Sequence, residues 1–124
     1  MQTLIFEPKW EKTIAPEDRR HIEEVFKLTT IAKEQEISFT PLQVATNHRE
    51  ELLVTVLIHN TGDTDYMFHQ QPLTYSVGDN RIATHSFTIQ HFTLKPKTSL
   101  PWTFIFPKET IKTTTHIQGG QLHY

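Results

Sequence analysis

The chain has 124 residues, a formal net charge of −2 and no cysteine. A chain of this length can bury a substantial apolar core as one domain, and without cysteine it holds neither disulfides nor thiolate metal ligands. Because the charge balance provides no basic field for a polyanion, we predict that the protein has no nucleic-acid partner.

The first 30 residues predict a short edge strand and one helix. "TLIF", residues 3–6, is an apolar run of the length of an edge strand. "APEDRRHIEEVFKLTT" predicts a single N-terminal α-helix over about residues 16–29, because Pro16 suits the first helical position and the acidic residues after it complement the helix dipole. The apolar residues at helical spacing, which we expect to face the body of the protein, are Ile22, Val25 and Phe26.

Residues 36–117 change to a period of two, which is typical of strands. "EISFTPLQVAT" and "ELLVTVLIHN" predict two antiparallel neighbours joined by a polar turn, with a bulge at Pro41 in the first. "GDN" predicts a hairpin turn before "RIATHSFTIQHFTL". Gly119 and Gly120 either close a last hairpin or precede a frayed tail.

A second clean alternation occurs in "KPKTSLPWTFIFPKE", which is stopped on both sides by proline. Large apolar residues at every second position predict a core stripe. Its members are Leu100, Trp102, Phe104 and Phe106.

These elements predict a mainly β protein, an immunoglobulin-like antiparallel β-sandwich with one N-terminal α-helix, as a single domain over residues 1–124. The disulfide that usually joins the two sheets is absent. Burial of large side chains must stabilise the fold instead, and each contributes on the order of 1.5 to 3 kcal/mol when fully buried.

Eight histidines suggest a metal site, but their spacing does not support one. The chain contains no H-E-x-x-H or H-x-H motif, and the nearest pair, His85 and His91, would lie about 20 Å apart on an extended chain. We therefore predict no metal and no cofactor. A histidine-rich domain that binds a metal or a small ligand remains the alternative.

No set of residues predicts catalysis. No serine lies in a G-x-S-x-G elbow, and the adjacent pairs of glutamates diverge on a helix or strand. Asp63 and Asp65 in "TGDTD" resemble part of a calcium loop but fit a turn better. His59, at the end of the central strand, is interpreted as part of the scaffold, and we predict that the protein is not an enzyme.

Four residues are candidates for a binding surface. Trp10, in "EPKWEKT", is not placed by periodicity: it either packs as a lid that joins the N-terminal arm to the sandwich or anchors a partner. Lys9 and Lys12 flank it. Thr88 lies in "RIATHSFTIQHF", a polar segment that we interpret as an edge strand able to pair with an extended segment of a client protein.

The sequence shows no basic region followed by a long apolar run, and no segment reaches about 18 consecutive apolar residues. We therefore predict no membrane insertion. As written, the sequence predicts a cytoplasmic protein, and association with the cell envelope is the alternative if the chain is a piece of a longer exported protein.

Three segments resemble the SLAP domain of Gram-positive, Bacillus-type bacteria, which occurs in proteins linked to surface-layer assembly and an accessory secretion system. The resemblance covers roughly residues 5–111. It rests on "PKWEK", on the turn "IHNTG" and on the strand "PWTFIFP". It implies a non-enzymatic module, often duplicated in a longer chain, and it supplies no catalytic residues. The single copy and the absence of a visible secretion signal depart from the family pattern.

The resemblance and the strand pattern together predict a protein-interaction module for bacterial protein secretion or surface-layer assembly. The expected partner is a secretion or surface-layer protein, and the sequence does not predict an oligomeric state. A structural domain of a larger surface protein is the second alternative.

Overall fold

A computed structural model describes residues 2–31, 35–90 and 92–124. Within these residues the chain forms seven strands, two helices and, between the last two strands, a 3₁₀ turn at Lys108–Thr110. In chain order the elements are β1 (Thr3–Leu4), α1 (Pro8–Thr13), α2 (Pro16–Leu28), β2 (Ile37–Thr46), β3 (Leu52–Asn60), β4 (Gln71–Val77), β5 (Asn80–Phe87), β6 (Thr98–Phe106) and β7 (Gln121–His123).

The strands form two sheets, which confirms the predicted mainly β, sandwich-like fold. The first sheet has the order β1-β6-β3-β2 and the second has the order β5-β4-β7. Every pairing of named strands is antiparallel except that of β1 with β6, which is parallel. The predicted antiparallel sandwich therefore contains one parallel pair, at this edge.

The two predicted hairpins are present. β2 and β3 pair in register with a shift between Pro41 and Gln43, so the predicted bulge lies where proline interrupts the strand. β4 and β5 meet at a turn in which Gly78 has a φ of 59°, a left-handed conformation that glycine adopts without a steric penalty.

Aromatic rings fill the space between the sheets. The rings of Phe39, Phe68 and Phe104 lie 5.7 to 6.5 Å from one another, centre to centre. The predicted stripe on β6 is buried at Leu100, Phe104 and Phe106. Trp102 is only partly buried and packs on Phe92, with their ring centres 5.1 Å apart.

β6 lies between Pro96 and Pro107, as predicted, and Pro101 lies inside it. The N–H groups of Thr3 and Ile5 donate to the carbonyls of Lys97 and Ser99, each at 2.9 Å. Backbone groups of alternate residues point to the same side of a strand, so those of Pro101 face the β1 side as well. β1 pairs only as far as Ser99, and the donor that Pro101 lacks is therefore not needed.

The N-terminal region contains two helices where the sequence predicted one. α2 agrees with the prediction to within a residue, while α1 is a further helix of six residues. Pro8 occupies its first turn, and the Glu7 carboxylate accepts the N–H of Lys9 at 2.7 Å. Neither helix of the described ranges is long and apolar enough to cross a membrane.

β1 lies within "TLIF", which was predicted to be an edge strand, whereas β7 lies beyond the range in which strands were predicted. β7 follows the two glycines and pairs with β4, so this end neither frays nor closes a hairpin on its neighbour in sequence. Leu122 on β7 is buried. A side chain at Gly120 would meet the ring of Tyr75 at 2.6 Å, which explains why glycine precedes this strand.

Candidate functional site

A cavity of about 780 Å³ lies between the two helices and the outer face of the first sheet, and we call it the helix cavity. Trp10 and Ile14 line it from the helical side, and Leu42, Thr55 and Trp102 line it from the sheet. Charged and polar side chains stand around these apolar groups; they are Lys9, Asp18 and His21. The helix cavity thus combines an apolar interior with a polar surround.

A second cavity, of about 730 Å³, runs beside β6, and we call it the edge groove. One wall consists of Glu7, Pro8 and Lys9 at the start of α1, and the other consists of residues 87–90 and Phe92. Residues 102–105 of β6 form its floor. Lys9 and Trp102 line both cavities, so the start of α1 separates them.

The structure brings three of the four predicted binding residues to these cavities. Trp10 is half-buried in the helix cavity, Lys9 is exposed between the two cavities, and Thr88 lies on the wall of the edge groove. Lys12 is exposed and lines neither of them. The binding roles of all four residues stay predictions.

Thr88 lies just beyond the strand in which it was predicted, because β5 ends at Phe87. Its hydroxyl accepts the backbone N–H of Gln70 at 2.8 Å. β5 itself is at one edge of the second sheet, as predicted. Thr88 therefore helps to hold the wall of the edge groove and does not extend the β5 edge.

His59 is buried between two hydroxyl groups. Its Nδ1 lies 2.6 Å from Ser99 Oγ and its Nε2 lies 2.7 Å from Thr40 Oγ1. Burial lowers the pKa of His59 from 6.5 to about 4, so the ring is neutral at pH 7. Although a serine beside a histidine can act as a nucleophile, both side chains are at most 1% exposed, and no substrate reaches them in this conformation.

The hydrogen-bond chain around His59 extends to the N-terminus and was not predicted from the sequence. The side chain of Gln2 donates to Ser99 Oγ at 3.2 Å and to the Thr98 carbonyl at 2.8 Å. The alternation in β3 places His59 on the face opposite Val56 and Ile58, but it does not show whether that face is covered. The scaffold interpretation of His59 agrees with these contacts.

The remaining histidines do not converge within the described residues, where no group of three or more His, Cys, Asp or Glu side chains could hold a metal ion. The His85 ring packs edge-on against Phe87 at 4.9 Å, and His123 Nε2 lies 3.2 Å from Ser76 Oγ. His91, the other member of the nearest predicted pair, lies outside the described residues.

The acidic turn after β3 is held by Asn60 and by surface lysines. The side-chain amide of buried Asn60 donates to the carbonyls of Thr64 and Leu94 at 3.0 and 3.1 Å. Asp63 and Asp65 pair with Lys97 and Lys95 at 3.2 and 3.3 Å, respectively. The sequence "IHNTG" therefore shapes a turn, and its aspartates serve as partners for lysines.

Comparison with known protein families identifies the family of this chain. The family model of the SLAP domain matches residues 4–120, which includes "PKWEK", the "IHNTG" turn and the "PWTFIFP" strand. Comparison with curated proteins returns no match, and comparison with solved structures returns none either. Because the matched region spans nearly the whole chain, the protein belongs to the SLAP domain family.

Proposed function

We propose that this SLAP domain is a non-enzymatic protein-interaction module that works in bacterial protein secretion or surface-layer assembly. Membership of the family supports a surface-associated role. The observation that carries the binding role is the half-buried Trp10 at the helix cavity. Tryptophan is enriched among the residues that dominate protein interfaces, because it offers a large apolar ring with one polar N–H.

The composition of the helix cavity fits the anatomy of an interface. Ile14, Leu42 and Trp102 supply an apolar interior next to the indole of Trp10, and an apolar side chain of a partner would displace water from all of them. Lys9 and Asp18 supply opposite charges around it. Such a polar rim favours one orientation of the partner over others.

Affinity capture with the tagged protein tests this proposal. Lysate and envelope fractions of its own host serve as input, because the sequence predicts a cytoplasmic chain and the family a surface-associated one. We expect secretion or surface-layer proteins to be enriched when bound proteins are identified by mass spectrometry. Trp10→Ala should reduce their recovery at least about tenfold, as truncation of a central aromatic does at interfaces.

Lys27→Ala is the control, because Lys27 is exposed on α2 and lines neither cavity. This variant should capture the same proteins as the wild type. Recovery of only unrelated cytoplasmic proteins, or equal recovery by the wild type and Trp10→Ala, would contradict the proposed function.

A further inference from the structure

The side of β6 that faces away from β3 is covered only at its beginning. β3 pairs with β6 from Thr98 to Phe106, whereas β1 pairs with β6 only at Thr98 and Ser99. From Leu100 onward, no strand of the described residues pairs with this side of β6. The edge groove lies along this uncovered stretch.

The backbone groups that point into the edge groove follow from the hydrogen bonds of β1. β1 residues donate to the carbonyls of Lys97 and Ser99, so the backbone of every second residue from there faces the groove. Thr103 and Ile105 therefore present both N–H and C=O to it, and Pro101 presents C=O alone. In the described part of the chain, the hydrogen bonds outside the ladders include none from the backbone of Thr103 or Ile105.

At the opposite edge of the same sheet, formed by β2, side chains occupy two of the backbone carbonyls. On β2 the carbonyls of Phe39 and Val44 accept hydrogen bonds from the side chains of Gln121 and Gln118 at 3.1 and 3.2 Å. These two carbonyls are thereby unavailable to another strand. The contrast between the two edges indicates that β6, rather than β2, is the edge available for pairing.

The side chains around the groove suit an extended chain with two different faces. On one wall Phe87, Ile89 and Phe92 are apolar. On the other Lys9 is exposed, and the Glu7 carboxylate accepts the backbone N–H of Lys9 at 2.7 Å. Within the described residues Lys9 forms no ion pair with a carboxylate. Successive side chains of a strand point to opposite faces, so one bound segment can meet both walls.

We propose that the edge groove binds an extended segment of a partner protein, which adds to the first sheet as a strand beside residues 101–105 of β6. The segment would carry apolar residues at alternate positions toward the phenylalanine wall and an acidic residue opposite Lys9. Main-chain hydrogen bonds to Thr103 and Ile105 hold it, and the side chains select its sequence. This inference rests on the proposed function, because it specifies how the interaction module holds its partner.

A phage-displayed library of random dodecapeptides, selected on the whole protein, provides the probe. We expect enriched peptides to alternate apolar and polar residues and to include an acidic position. The synthetic consensus peptide is then titrated by fluorescence anisotropy against the wild type, Thr103→Pro and Thr103→Val. Thr103→Pro removes one N–H from the groove and should weaken binding about tenfold, whereas Thr103→Val keeps the N–H and should bind about fivefold more tightly than the proline variant.

Thr103→Pro is expected to fold, because the backbone nitrogen of residue 103 points to the same side of β6 as that of Pro101, where the natural chain already has proline. Amide exchange of the wild type with and without the peptide makes the test independent of this variant. Binding should slow the exchange of the N–H groups of Thr103 and Ile105. A matched pair of charge variants tests the role of the Lys9 wall. Lys9→Ala should weaken binding of the acidic peptides, and Lys27→Ala, which removes the same charge away from both cavities, should leave it unaffected.

The inference is overturned if the selection enriches no peptide, if the peptides bind Thr103→Pro as tightly as the wild type, or if they protect amides elsewhere. Its failure is distinct from failure of the proposed function. Host proteins captured through Trp10 but equally well by Thr103→Pro would remove the β6 site and leave the interaction module standing. If peptides bind at β6 but no surface protein is captured through Trp10, the β6 site stands and the proposed function fails.

Discussion

His59 connects three parts of the chain through a pair of hydroxyl groups. A neutral imidazole has one donor and one acceptor, and a hydroxyl can serve as either, so Thr40 and Ser99 satisfy the ring in both tautomers. A protonated ring would carry a charge into a site from which water is excluded. This cost is the reason that burial lowers the pKa of His59 to about 4.

The lowered pKa predicts that stability falls in mild acid. The unfolded chain, with a histidine pKa of 6.5, binds a proton more readily than the folded one. The contribution of neutral His59 is therefore complete above about pH 6.5 and is lost as the pH falls toward 4. Across this window the free energy of unfolding falls by on the order of 3 kcal/mol because of His59. Urea unfolding at a series of pH values between 7.5 and about 4 measures it.

His59→Gln keeps hydrogen-bonding capacity without a titrating group, so its stability should depend less on pH than that of the wild type. His48→Gln is the control, because His48 is exposed. Its removal should leave the pH dependence of the unfolding free energy as in the wild type. If the unfolding free energies of the wild type and His59→Gln depend equally on pH, His59 does not cause the loss of stability in mild acid.

At the scale of elements, the β2 edge is closed by side chains from the end of the chain. Gln118 and Gln121, on either side of the glycines, donate to the Val44 and Phe39 carbonyls. β7 continues from them into the second sheet, with Leu122 buried. These contacts hold the last residues against both sheets.

We predict that the double substitution Gln118→Glu and Gln121→Glu destabilises the fold by about 1 to 3 kcal/mol, since two hydrogen bonds are lost at about 0.5 to 1.5 kcal/mol each. Carboxylates cannot donate to the two carbonyls and repel them. Urea unfolding at pH 7 provides the measurement. The double variant Gln35→Glu and Gln90→Glu has the same net charge on exposed residues and should stay close to the wild type. Equal destabilisation of both double variants would assign the effect to charge.

The elements that sequence predicts well are those with a long, regular pattern. α2 has a proline start and an apolar stripe, and β2, β3 and β6 alternate over nine or ten residues. α1 was missed because six residues are too few to establish a helical period. β1 and β7 are shorter still, and they are strands only because β6 and β4 lie beside them.

The two cavities depend on contacts that the sequence pattern does not contain. Lys9, Trp10 and Thr88 were chosen for their types and neighbours, and tertiary packing brings Lys9 and Thr88 to the same groove. The alternating pattern includes Pro101, but the sequence does not show which side of β6 lacks a neighbour. The pattern therefore located the strands, while the open edge required knowledge of the strand order.

In the whole molecule, the helix cavity and the edge groove lie on either side of the start of α1. Lys9 and Trp102 contribute to both, so a partner that inserts an apolar side chain beside Trp10 can also lay an extended segment along β6. The opposite edge of this sheet is occupied by glutamine side chains. The surface around α1 is consequently the place where we expect a partner to bind.

The most direct test of this account is residue-resolved amide exchange of the free protein, measured by NMR along β6. We predict that the N–H groups of Trp102 and Phe104, which face β3, exchange at least about tenfold more slowly than those of Thr103 and Ile105, which face the groove. Alternating protection would establish β6 as an open edge that can accept a strand. Equal, strong protection of all four amides would show that the edge is already covered, and it would contradict the account.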